Sequence, residues 1–148
     1  MDPSNLAGLL FGRGFRRHGL QRNSVGHLQM TGHLGGERVD ILVDTGAAST
    51  VVDLEWCRAH RIPVVDTGRA GGGAGSVTLP IYALGKLPLV VDGVELRSDG
   101  LFVIDLSHVN AGLTTRGAQR VNAVLGADVL SRHQAVIDYG ADTLFLRH

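Results

Sequence analysis

One aspartate stands out by what flanks it. Asp44 follows the apolar run Ile41-Leu-Val43 and precedes Thr45-Gly-Ala-Ala-Ser-Thr-Val-Val52, so a small polar block lies between two segments that read as buried strand. The pattern carries a carboxylate into an interior, where an isolated charge is costly and is relieved by a metal, a cation or a second carboxylate that shares its proton. The neighbours favour the third. Thr45 offers a hydroxyl that can brace an adjoining loop, and Gly46 lets the backbone turn tightly and bring its N–H to the carboxylate. Two carboxylates holding one proton do acid–base work, one accepting while the other donates.

The same three letters recur at Asp66-Thr67-Gly68, and flanks decide between the copies. The second follows Pro63-Val-Val65 but runs into Arg69-Ala-Gly-Gly-Gly-Ala-Gly75, with no apolar segment to bury a loop, so chemistry is assigned to the first. The glycine run lacks the Lys-Ser/Thr ending of a phosphate loop, and no helical pattern follows it. The histidines, His18, His27, His33, His60, His108, His133 and His148, show no His-x-x-x-His or Glu-x-x-His spacing, and no metal site is expected. Cys57 is alone, so it can form neither an internal disulfide nor a cysteine-based metal site and reads as packing.

Around these residues, 148 positions make one domain, long enough to bury about two-thirds of its unfolded surface without staples. With 14 basic and 14 acidic residues and 5% aromatics, the chain lacks both the charge footprint and the stacking surface of a nucleic-acid binder. Residues 1–22 read as a basic flexible N-terminal arm and residues 23–148 as the folded domain. Between Asp2 and Glu37 there is no acid, while Arg13, Arg16, Arg17 and Arg22 cluster with His18. The arm's apolar part, Leu6-Ala-Gly-Leu-Leu-Phe11, is too short for a membrane span or a signal-peptide core, so no integral membrane segment is expected and the cytoplasm is the default compartment. A mobile tail, an arm for an anionic surface and a self-removed propeptide all fit it.

Residues 25–34 and 38–43 read as two strands joined at Gly35-Gly36. Residues 53–60 have an N-cap acid, an early Glu and a Pro shortly beyond, which predicts a short helix. Residues 64–84 read as a hairpin with a glycine tip. Asp92-Gly93 and Asp99-Gly100 are hairpin signals in an all-strand region, 107–119 reads as a mobile surface loop, and a short helix should start near Asp128 after Val124-Leu125-Gly126. Residues 135–138 and 143–146 close the chain as a hairpin.

The run Ile41-Leu-Val-Asp-Thr-Gly-Ala47, followed by Ser49-Thr50 and Val51-Val52, resembles the catalytic loop of the retropepsin-like (retroviral-type) aspartic peptidases. The order of hairpin, Asp-Thr-Gly-Ala, flap hairpin, Leu-Gly-helix and final strands extends the resemblance over residues 25–147, and the composition is closer to bacterial single-domain members than to viral ones. The resemblance implies an all-β, retropepsin-like acid-protease barrel with one or two short helices and a flap hairpin, working as a homodimer. It implies catalytic Asp44, Thr45 and Gly46, substrate binding by Ala47, Ala48 and the flap residues Gly71, Gly72, Gly73, Ala74 and Gly75, a peptide or protein substrate, and no cofactor or metal. Retroviral members usually pair an acid after the Asp-Thr-Gly-Ala with an Arg after the later Gly; here these positions are Ala48 and Ala127, so both halves are missing together and no buried charge is stranded.

Such a peptidase needs two facing carboxylates, and the second copy of the motif lies too close to head another lobe. A two-fold homodimer supplies the partner as Asp44 of the other subunit. The implied reaction is peptide-bond hydrolysis by an activated water, with Thr45 bracing the two loops and Gly46 orienting the carboxylate. An actin-like phosphate loop is the rival enzyme reading, and the chain is too short for two large lobes. A catalytically inactive dimer of the same fold, used as a protein- or peptide-binding module, is the reading from another class, and a turnover assay separates it from a peptidase.

Overall fold

Gly35 and Gly36, both at positive φ (59° and 80°), turn the chain between β3 (Leu28–Leu34) and β4 (Glu37–Val43), which pair antiparallel along their whole length. The computed structural model of the chain describes residues 3–72 and 78–148, and it is mostly β. β3 alternates buried and partly or fully exposed positions, while β4 ends in the buried triplet Ile41-Leu42-Val43, as expected of a strand covered on both faces at the end that leads to Asp44.

After the Asp44 loop come β5 (Val51–Asp53) and α2 (Leu54–Ala59), capped by the Asp53 carboxylate, which accepts from the Trp56 N–H at 3.3 Å and also from the Leu106 N–H at 2.9 Å. β6 (Val65–Gly72) and β7 (Thr78–Ala83) form the expected hairpin. β8 (Leu89–Val91) and β9 (Val94–Glu95) form another, with Asp92 and Gly93 at φ 47° and 77°. Asp99-Gly100 makes no hairpin. The chain there runs on into β10 (Phe102–Ile104), drawn beside β7 by an N–H from Leu84 to the Leu101 carbonyl (3.0 Å), and β10 lies antiparallel to β7 and parallel to β5.

Four short helices are described where one or two were expected. Besides α2 and α4 (Ala127–Arg132) these are α1 (Pro3–Phe11) and α3 (Ser107–Thr115). α3 replaces the expected mobile loop. Its buried Asn110 donates to the Val121 carbonyl (3.0 Å) and accepts from the Val121 N–H (2.7 Å), and Leu113 packs into a second core with Leu42, Leu106 and Val124. An amide at a buried position hides the apolar period that would have marked the helix.

The expected flexible arm is likewise corrected over residues 3–22. α1 buries Ala7 and Leu10 on Phe145, β1 (Phe15–Gly19) pairs antiparallel with β13 (Thr143–Arg147), and β2 (Gln21–Arg22) pairs with β3. A nine-residue helix holding Gly8 is marginal by itself, and docking on β13 is what makes it form. β13 also pairs with β12 (Val136–Asp138), giving a three-stranded sheet β1-β13-β12. The larger sheet runs β6-β7-β10-β5-β11-β4-β3-β8-β9, with β11 being Ala123–Leu125. The main core, including Leu34, Ile41, Val52, Val103, Leu125 and Leu146, fills the space beneath it. Among the described residues no helix is long and apolar enough to cross a membrane.

Candidate functional site

β11 is the element that makes the site. It lies parallel to β4, pairing Ala123, Val124 and Leu125 with Ile41, Leu42 and Val43, and antiparallel to β5 on its other edge. The loop of residues 44–50 therefore crosses from β4 to β5 over the end of an inserted strand. Its backbone is tied down there: the Asp44 N–H donates to the Leu125 carbonyl (3.0 Å) and the Ala127 N–H to the Ala47 carbonyl (2.7 Å). Gly126 sits under the loop so closely that a Cβ on it would meet the Ala47 carbonyl oxygen at 2.7 Å and the Ser49 backbone at 2.8 Å. Only glycine admits that approach.

A second brace joins residues far apart in sequence. Thr50, fully buried, donates its hydroxyl to Asp128 Oδ1 (2.7 Å) and receives the buried Gly126 N–H (2.9 Å). The same carboxylate oxygen accepts the N–H groups of Thr50 (2.9 Å) and Val129 (2.8 Å), so one charge anchors the end of the loop to the first turn of α4. With Ala48 and Ala127 unable to form an ion pair, this hydrogen-bonded carboxylate holds the loop to the helix behind it. Sequence reasoning missed both residues as a pair; an acid just after Leu125-Gly126-Ala127 was the available signal.

Asp44 itself is exposed in the single chain, at the end of β4, where the sequence reading expected an interior position: the apolar strand stops one residue short of it. Its Oδ1 accepts the Gly46 N–H at 2.9 Å, and Thr45 and Gly46 are exposed beside it. Among the described residues Asp44 makes no ion pair. It shares a hollow of about 200 Å³ with Thr45, His27, Ile137 and the exposed Tyr139. The second copy folds the same local turn, with Gly68 N–H on Asp66 Oδ1 at 2.8 Å. There the motif forms a bulge in the β6–β7 ladder, where Thr67 donates to the Ile81 carbonyl at 2.6 Å and pairing skips from Asp66 to Arg69.

Beyond the loop lies an apolar cleft of about 340 Å³ between the β6–β7 hairpin and the strands β5 and β10. Of the residues expected to bind substrate, Ala48 and Gly71 line it, with Val51, Phe102 and Ile104 as apolar walls. Ala47 instead packs against the second core, and Gly72 ends β6 opposite Thr78. Gly73, Ala74 and Gly75 lie outside the described residues.

Elsewhere the fold gathers histidines that sequence spacing did not connect. His18 Nε2 lies 3.2 Å from His148 Nε2, and His18 Nδ1 lies 2.7 Å from the Asp92 carboxylate. The fully buried His133 accepts the Arg97 N–H at Nε2 (2.8 Å) and donates from Nδ1 to the Arg147 carbonyl (2.9 Å). Burial holds His133 below the ordinary histidine range and pushes His148 down to about 4, with His133 and His18 adding charge repulsion to the latter. Burial, helped by Asp53, raises the Cys57 thiol to about 11, which suits packing and not nucleophilic work. Among the described residues no group of three or more His, Cys, Asp or Glu is placed to hold a metal ion.

A family model described as aspartyl protease matches residues 30–129, from β3 through β11 to the first turn of α4. Among solved structures the chain is similar to the retroviral protease-like domain of Ddi1 from Leishmania major, at 21% identity and TM-score 0.57 over 81% of this chain and 87% of that one. It is similar to a retropepsin-like aspartic protease from Rickettsia conorii at 18% identity and TM-score 0.56, over 89% and 91%. It is also similar to EIAV protease complexed with the inhibitor HBY-793, at 16% identity and TM-score 0.53 over 74% and 90%. A search of curated proteins gave no match. The likeness to retropepsin-like proteins drawn from the residues around Asp44 is borne out, and the fold is theirs.

Proposed function

Since this chain belongs to the aspartyl protease family, we propose that it is an aspartic endopeptidase whose active site forms when two copies appose their Asp44 loops. The observation that carries this reading is the exposed Asp44-Thr45-Gly46 turn, fixed rigidly from behind by β11, Gly126 and the Thr50–Asp128 bridge and left open in front. A braced carboxylate with no partner among the described residues is half of an acid–base pair. Pairing through a two-fold axis brings the second Asp44 to face the first, and the apolar Ile137 and Tyr139 beside it support burial of that face.

In the assembled site the two carboxylates hold one proton. The ionised member takes a proton from a water molecule as its oxygen attacks the scissile carbonyl carbon, while the protonated member gives its proton to the carbonyl oxygen. The tetrahedral intermediate then collapses, the C–N bond breaks, and a proton passes to the leaving amine. Thr45 braces one loop against the other, and the Gly46 N–H steadies the carboxylate. The β6–β7 hairpin acts as a flap that closes over an extended peptide lying along Ala48 and Gly71, excluding water. No cofactor or metal takes part.

The test is turnover. Purified protein incubated with a mixed peptide library should cleave it, and Asp44→Asn should not, while both keep the same circular dichroism spectrum. Binding without cleavage by wild-type protein would favour the inactive binding module.

A further inference from the structure

The bulge at the second Asp-Thr-Gly has a use that the catalytic reading leaves unassigned. Past it, β6 pairs Arg69 with Ile81 and Gly71 with Leu79. Residues two apart on a strand share a face, so Arg69, Gly71, Leu79 and Ile81 all turn the same way, and all four line the apolar cleft beside Ala48. The remaining lining residues, Ser49, Val51, Phe102 and Ile104, are uncharged, which makes Arg69 the one charged residue on the cleft among the described residues. It is solvent-exposed and, among the described residues, in no ion pair.

We propose that Arg69 is a specificity-determining residue that binds a substrate carboxylate, so that the preferred peptides place an apolar side chain in the cleft and an Asp or Glu beside it. This rests on the peptidase reading and names its substrate class. An apolar pocket rewards an apolar side chain by burial but cannot choose the residue next to it. A guanidinium at the pocket wall can: it offers a planar fork of donors that matches a carboxylate, and among the described residues no acid on the cleft competes for it. Because Arg69 is exposed, its contribution is that of a surface pair, about fivefold between a Glu and a Gln peptide, equivalent to about 1 kcal/mol. It should shrink as salt screens it.

The experiment uses matched peptides with a fixed apolar residue and Glu, Gln or Lys at each flanking position. The ratio of kcat/KM values within each variant is read for wild type, Arg69→Gln and Arg69→Glu. Wild type should prefer Glu over Gln at one position and reject Lys. Arg69→Gln should bring the Glu/Gln ratio to about one, and Arg69→Glu should turn the preference toward Lys. A wild-type ratio near one at every position, or a preference that survives in Arg69→Gln, overturns the proposal. Fluorescence anisotropy with the same peptides on Asp44→Asn and on Asp44→Asn/Arg69→Gln gives a readout without turnover. If wild type cleaves nothing yet Glu peptides bind Asp44→Asn more tightly than Gln peptides and the double variant loses this, the peptidase reading fails and the Arg69 site stands. Equal binding of Glu and Gln peptides overturns the site.

Discussion

Replacing Thr50 by Val tests how the loop is held with the least change of shape. The hydroxyl removed is fully buried, donates to the Asp128 carboxylate at 2.7 Å and accepts the buried Gly126 N–H at 2.9 Å. A hydrogen bond to a charged group contributes about 1.5–3 kcal/mol, and a buried N–H left without an acceptor costs about 1–3 kcal/mol. Asp128 Oδ1 keeps two backbone donors, from Thr50 and Val129, so the lower part of that range applies, roughly 3 kcal/mol. For a domain of this size that lowers the melting midpoint by roughly 6–12 °C. Thr50→Ser is the control, since it keeps the hydroxyl and gives up one buried methyl, about 1 kcal/mol. Urea titrations at one fixed protein concentration, with the m-value monitored, measure both variants. If Thr50→Val loses no more than Thr50→Ser, the bridge does not hold the loop.

Gly126→Ala should disable cleavage more than it unfolds the protein, because its Cβ would displace the Ala47 and Ser49 backbone; activity unchanged in a peptide assay would contradict the close approach. Asp66→Asn should leave activity nearly intact, since its carboxylate only closes a turn with Gly68, whereas comparable loss in Asp66→Asn and Asp44→Asn would reverse the assignment of the two motifs. Specific activity should fall on dilution in step with dissociation seen by sedimentation, and a fully active monomer would remove the two-subunit site. The rate should decline as pH rises past neutrality and the shared proton is lost, and a chelator should leave it unchanged; a rate that climbs into the alkaline range would exclude the carboxylate pair. Stability has the opposite trend at low pH: His133 and His148 are both held below their ordinary value of 6.5, so the unfolded chain takes up protons first. Stability complete above that value is therefore lost as pH falls toward about 4, where folded His148 protonates, and a melting midpoint constant over this window would refute the burial of these rings.

The parts of the fold legible in sequence are those fixed within a few residues. Gly35-Gly36 and Asp92-Gly93 announce their turns because both need positive φ, and Asp53 announces α2 because a carboxylate there meets the Trp56 N–H. What escaped depends on distant partners. α1 forms because Phe145 covers Ala7 and Leu10, and α3 because Asn110 finds both polar groups of Val121. Thr50 and Asp128 stand 78 residues apart, and His18 and His148 stand 130 apart, so no local spacing could join them. The exposure of Asp44 in the single chain escaped for a related reason. Apolar flanks report that a strand is buried, but not at which residue it leaves the sheet.

The position of β11 also governs when the site can come into being during synthesis. Residues 44–50 emerge from the ribosome long before residues 123–130, yet the gap they bridge between β4 and β5 is filled only by β11, and their anchor is Asp128. Until that late segment inserts, β4 and β5 have no common neighbour and the Asp44 turn has nothing beneath it. A ladder closed across so much sequence is a slow, late step, since the entropy of closing the intervening loop is lost before any contact offsets it. The nascent chain thus carries an unformed Asp44 loop until residues 123–130 have emerged, and the carboxylate is set in place only when that segment is available to hold it.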